Sequence, residues 1–126
     1  MDYYIYYDIY NNRILPIEYD GNSVFGNQNL TWSPFYHEDD DDFALLHNLL
    51  EIPEIRQRYL AHFRTILNDN FDVDYINSLI DEYADLIDSY VYNDPKKIYT
   101  YNQFLNEVNN LKDYFNDRSS FLWNHE

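Results

Sequence analysis

The feature that most constrains this chain is a change in the period of its apolar residues near Asp39. Before it, the stretch DYYIYYDIYNNRILPIEY (residues 2–19) is dense in Tyr and Ile and holds the turn pair Asn11-Asn12. That pattern predicts two strands joined by a tight hairpin. Pro16 has no N–H to give to a ladder, so the second strand is expected to be an edge or to bulge there. The next segment, YDGNSVFGNQNLTWSPFYHE, carries both glycines of the chain, Gly21 and Gly26, amid Asn, Ser and Pro, and reads as an irregular loop.

Beyond the loop the period becomes 3.6. The acidic run Glu38 to Asp42 precedes FALLHNLLEI, where the helix macrodipole favours negative charge. Pro53 opens a second helix whose expected apolar face is Ile55, Tyr59, Leu60, Phe63, Ile66 and Leu67. On that face Phe63→Ala is expected to cost about 3 to 5 kcal/mol. A third helix starts near Asp72 to Asp74 and carries Ile76, Leu79, Ile80, Tyr83, Leu86, Ile87 and Tyr90 as one stripe. It should stop at Asn93-Asp94-Pro95, because a residue before proline is pushed out of the helical region. Thr100, with Gln103 three residues on, has the spacing of a capping box for a fourth helix containing Phe104, Leu105, Val108, Leu111 and Phe115. The tail FLWNHE is expected to dock by Phe121 and Trp123. The expected fold class is therefore α+β: a hairpin (residues 1–20), a Gly-containing loop (21–38) and about four amphipathic helices (39–123) in a single domain.

Charge and length limit the functions. The 126 residues carry 23 Asp and Glu against 8 Lys and Arg, a formal net charge of −15. Such a surface repels phosphate backbones and anionic lipid, so neither nucleic acid nor membrane is an expected partner. No apolar stretch has the length of a transmembrane helix, and no basic residues precede an apolar run as in a signal peptide. Cysteine is absent, which removes disulfides, thiolate metal sites and cysteine nucleophiles. The 15 Tyr, 8 Phe and 2 Trp bring large apolar area with polar tips, suited to a core near a surface or to an interface. A two-stranded hairpin is marginal alone, so its apolar face is expected to need the helices or structure outside this sequence.

Several residue groups could carry chemistry. Glu18, Asp20 and Asn22 lie at the end of the second strand and enter the glycine loop. A carboxylate there can hold Mg²⁺ against nucleotide phosphates, or Asp20-Gly21 is simply a turn. The Asp run lacks the alternating spacing and distal Glu of a calcium loop, so a solvated helix start is expected instead. His37, His47, His62 and His125 form no H-E-x-x-H or H-x₃-H pair, and zinc is not expected. No G-x-S-x-G, G-x-x-x-x-G-K-[ST] or G-x-G-x-x-G occurs. Arg56 and Arg58 are expected to neutralise acidic neighbours such as Glu51, Glu54 and the Asp run rather than to clamp a phosphate.

Taken in order, DYYIYYD, RILPIEYDGNSVFG, WSPFYHE, LLHNLLEIPEIRQRYLAHFRTILND, LIDEYADLID, DPKKIYTYNQF and LKDYFNDRSSFL resemble the C-terminal part of the CotH kinase family, spore-coat protein H-like atypical protein kinases. The most specific pieces are IPEIRQRYLAHFRTIL and DGNSVFG, the latter similar to the family's W-D-x-N-x-x-F-G with Tyr19 in place of Trp. The resemblance implies the C-terminal lobe of a diverged kinase-like fold, with Mg²⁺ and ATP as cofactors and protein Ser or Thr as acceptor. It implies that Asp20 is a metal-binding residue equivalent to the aspartate of a kinase D-F-G, and that Asn22 lies beside it in the nucleotide site. Catalytic residues are not assigned: the family's ATP-gripping lysine and its base Asp lie before the hairpin, and Asp2 stands near the end of the catalytic loop. The resemblance further implies a bacterial spore coat, cell envelope or secreted setting. The expected partners are thus a protein substrate or the missing N-terminal kinase lobe, and these residues alone are expected to be inactive. The alternative is a non-catalytic acidic helical module that binds proteins or forms a homo-oligomer through the exposed hairpin.

Overall fold

The computed structural model describes residues 4–17 and 24–124. The chain is α+β, with a two-stranded antiparallel hairpin followed by four α-helices. Strand β1 (Tyr4–Asp8) pairs with β2 (Arg13–Ile17) in a register that sets Tyr7 against Ile14 and Ile5 against Pro16. Both strands are edges, so Pro16 is accommodated as expected. The connection is a four-residue turn, Ile9 to Asn12, rather than the two-residue one that Asn11-Asn12 suggested. Asp8 organises it: its carboxylate accepts from the N–H groups of Tyr10 and Asn11 and from the Asn11 side chain. Asn12 closes it at φ 52°, a left-handed conformation that Asn tolerates.

The hairpin differs from expectation in its packing. Tyr4, Ile5, Tyr6, Tyr7, Ile14, Leu15 and Ile17 are all exposed, so neither face lies against the helices. Its contacts are chiefly between its own strands.

Helix starts follow local chemistry. Asp40 accepts from the Asp42 N–H and opens a 3₁₀ turn, Asp41–Phe43, which leads into α1 (Ala44–Leu50). The α-helical part is thus shorter than FALLHNLLEI. Pro53 ends it by forcing Ile52 into extended geometry (φ −85°, ψ 113°), and then serves in the first turn of α2 (Pro53–Asp69). Asp72 caps α3 (Val73–Asn93) through the Tyr75 N–H, and the extended Asp94 before Pro95 terminates it where expected. Both halves of the Thr100–Gln103 capping box are formed at the start of α4 (Tyr101–Trp123).

Helices α3 and α4 pack along each other, and α1 packs on α2. The buried residues among those described are few: Leu50 of α1, Leu67 of α2, and Tyr114 and Leu122 of α4. Three expected faces need correction. Ile66 is 51% exposed while its neighbour Leu67 is 3% exposed, so the α2 stripe turns away before its end. On α3, Tyr83, Leu86, Ile87 and Tyr90 are exposed, so the single stripe covers α4 only in part. The tail does not dock as a separate segment. It continues α4, burying Leu122, with Phe121 partly buried under Arg118 and Trp123 43% exposed.

Candidate functional site

Asp20 and Asn22, with Glu18 and Gly21, lie outside the described residues, as do Asp2 and His125. What the structure describes is the segment that follows them, Val24 to Asp40, and its fastening is extensive.

On one side it is tied to α4. Phe25 lies against Tyr114 and Phe115, with ring centroids 6.0 and 5.1 Å apart. The Asn29 side chain receives the Tyr114 hydroxyl at 2.9 Å and donates to the Val24 carbonyl at 2.6 Å, while its backbone N–H closes the turn that starts at Gly26. Arg118 then reaches in from α4 and donates to the carbonyls of Leu30 and Trp32 at 2.8 and 2.7 Å. Burial lowers the pKa of this guanidinium. The two carbonyls supply partial negative charge to a cation that has moved out of water.

On the other side the segment is tied to α2. The Tyr59 hydroxyl donates to the Pro34 carbonyl at 2.6 Å, and burial raises its pKa. Arg56 pairs with Glu38 and stacks its guanidinium over Phe35, 4.3 Å from the ring centre. The hydrogen bond that Arg56 donates to Glu38 raises the Arg56 pKa. Arg56 thus neutralises an acidic neighbour, as expected, but the neighbour is Glu38. The Tyr59 and Arg56 contacts bring the middle of the segment onto α2 while Phe25, Asn29 and the Arg118 contacts hold its start on α4.

A ladder of rings joins the segment to the acidic run. Trp32 stacks on Tyr36 at 4.3 Å, Tyr36 meets His37 at 3.9 Å, and His37 stacks on Phe43 at 3.8 Å. His37 sits at φ 68° and contacts the Asp40 carboxylate at 2.9 Å through Nδ1. The Asp42 N–H and His37 hold the Asp40 carboxyl below its usual pKa. His47 of α1 contacts the Glu38 carbonyl at 2.7 Å, and that bond together with Glu51, Asp41 and Asp39 raises its pKa.

These residues have structural work: capping, pairing and stacking. Among the described residues no group of three or more His, Asp or Glu side chains is placed to hold a metal ion. The Asp run is a capped helix start. His37 and His47 are hydrogen-bonded, and His62 stands exposed on α2. Arg118 escaped the sequence reading although a signal was present. Leu111, Phe115, Arg118 and Leu122 share one face of α4 at intervals of four, three and four, so a cation sits in an otherwise apolar series.

The family model described as CotH kinase protein matches residues 1–122. The chain belongs to the CotH kinase family. No curated protein and no solved structure matches it. Among the described residues no helix is long and apolar enough to cross a membrane.

Proposed function

We propose that this chain is the C-terminal segment of a CotH-like atypical protein kinase, in which Asp20 is a Mg²⁺ ligand and Asn22 lies beside it in the ATP site. Mg²⁺ in such a site neutralises charge on the ATP phosphates during transfer to a protein Ser or Thr hydroxyl. In this reading the ATP-gripping lysine and the catalytic base come from a polypeptide segment that precedes the hairpin. The 126 residues alone therefore do not carry out transfer, because phosphoryl transfer needs nucleotide, metal and acceptor positioned together.

The observation that carries this proposal is the anchoring of the residues directly after the D-G-N-S segment. A metal carboxylate is useful when its backbone is held by rigid elements. Val24 through Trp32 are held to α4 by Phe25, Asn29 and the Arg118 hydrogen bonds, and Pro34 through Glu38 to α2 by Tyr59 and Arg56. The family match, which spans the DGNSVFG motif, supports the same reading. The exposed hairpin favours the second reading, an acidic helical module that binds proteins without catalysis or self-associates through those strands.

Thermal melting of the chain with and without Mg²⁺ and ATP, repeated with Asp20→Ala, distinguishes them. Ligand at a hundred times its dissociation constant stabilises the fold by about 2.7 kcal/mol. A rise in Tm that requires both the metal and Asp20 supports the kinase half-site. A cooperative melt that is indifferent to ATP overturns it and favours the interaction module.

A further inference from the structure

The hairpin has one open edge and one closed edge. A proline stands in an edge strand with its nitrogen side facing outward. With Ile5 set against Pro16, the pairs that bond within the hairpin are therefore Tyr4 with Ile17, Tyr6 with Leu15 and Asp8 with Arg13. The N–H and C=O groups of Ile5 and Tyr7 then point out from β1, and the backbone groups of Ile14 and Pro16 point out from β2. On β2 the outward row lacks a donor at Pro16, and the charged Arg13 stands at its end. On β1 the row is complete. Its one charge, Asp8, lies at the turn, where the Tyr10 and Asn11 N–H groups and the Asn11 side chain occupy the carboxylate. Tyr4 to Tyr7 hold no lysine, proline or other device that keeps a strand edge from pairing.

Three properties of the hairpin select a second copy as the occupant of this edge. The first is that β1 is complementary to itself. When two β1 strands lie antiparallel about a two-fold axis through Tyr6, Ile5 of each faces Tyr7 of the other, and each such pair exchanges both of its N–H···O bonds. Asp8 then falls opposite Tyr4 of the second copy, so no like charges meet, and the Ile5 and Tyr7 side chains form a favourable cross-strand pair. The second property is charge. Residues 4–17 contain one Asp and one Arg, in a chain of net charge −15, so two copies approach through this element with little repulsion. The third is the state of the hairpin alone, exposed on both faces. Two strands are marginal in water, whereas three or more with a shared apolar face are stable.

We propose that β1 pairs with β1 of a second copy of this chain, giving a continuous four-stranded antiparallel sheet with Tyr6 on the two-fold axis. Both outer edges of that sheet are β2, where Pro16 stops further strand addition, so association closes at two copies. The proposal goes beyond both functional readings above, because the pairing uses neither Asp20 nor ATP, and the melting experiment and the one below fail separately. One strand from each copy is a small interface, so the dissociation constant is expected at about 10 to 100 µM.

Sedimentation equilibrium of the full chain from about 5 to 500 µM spans that range and is expected to show monomer and dimer in equilibrium. Screening of the net charge should tighten the dimer as salt rises from about 50 to 500 mM. Ile5→Pro removes an outward donor and leaves the bonds within the hairpin, and should weaken the dimer at least about tenfold, or about 1.4 kcal/mol. Ile14→Thr, which trims apolar surface on the β2 edge, should leave it within about twofold. Because the chain has no cysteine, a single introduced thiol reports the register by itself. The two Tyr6 Cα atoms would stand about 4.5 Å apart, within the span of a disulfide, and the two Tyr4 Cα atoms about 13 Å apart, beyond it. Diamide is thus expected to link Tyr6→Cys chains at least about tenfold faster than Tyr4→Cys chains. This holds whether or not Ile5→Pro folds, which circular dichroism checks. A chain that stays monomeric at about 500 µM overturns the proposal and leaves the β1 edge to a strand of another polypeptide. A dimer that salt weakens, or that Ile14→Thr weakens as much as Ile5→Pro does, also overturns it, as do equal linkage rates at positions 4 and 6.

Discussion

Single side chains settle how the segment after the D-G-N-S motif is held, and His47 of α1 is one of them. Its imidazole bonds to the Glu38 carbonyl and faces Asp41, Glu51 and Asp39, so its pKa in the folded chain lies above the ordinary value of 6.5. A raised pKa means that the folded state holds the proton more tightly than the unfolded state. The stabilisation is therefore fully present below about pH 6.5 and is lost as pH rises through the folded value. Urea midpoints measured at steps from pH 5.5 to 8.5 should fall with pH in the native chain relative to His47→Gln. Parallel profiles would contradict the contact geometry. Asp40 has the opposite sign, since its lowered pKa contributes stability that is lost only in acid, below the range of His47.

At the scale of elements, the helix boundaries rest on local signals, and the sequence shows them. Asp72, Thr100, Gln103 and Pro53 act within a few residues of themselves, and each cap formed where its spacing placed it. Which residues of a helix face inward was less legible. Ile66 and Leu67 are both apolar and adjacent, and only the direction from which α2 is covered decides between them. Leu67→Ala should cost about 2 to 5 kcal/mol by denaturant unfolding, whereas Ile66→Ala should cost well under half as much. Comparable losses would mean that α2 is rotated from the orientation described. Phe63 is partly buried on that helix, so Phe63→Ala should cost less than the about 3 to 5 kcal/mol of a fully enclosed ring.

The whole molecule is open. Its accessible surface is 10220 Å², against about 7,200 Å² for a compact monomer of this mass. The chain should therefore expose about a fifth less surface on unfolding than a compact protein of equal length, and its urea m-value should be smaller by about the same fraction. An m-value typical of a compact domain of this length would show that the hairpin and the outer face of α3 are covered in solution. The bare hairpin and the bare α3 stripe have the same cause: each has an apolar face that the rest of the chain does not reach.

The sequence alone determined the α+β class, the places where helices begin and end, and membership of the CotH kinase family through motifs that run the length of the chain. Those properties depend on residues near one another in the chain, where spacing and side-chain type suffice. Only the tertiary structure decided that Arg118 and Tyr114 reach across more than eighty residues to hold Asn29, Leu30 and Trp32. It likewise decided that Glu38 is the partner of Arg56 and that half of the α3 stripe stays in water. An apolar period states that a face will be buried if something covers it. Whether anything does depends on where the other helices lie, which no local pattern encodes.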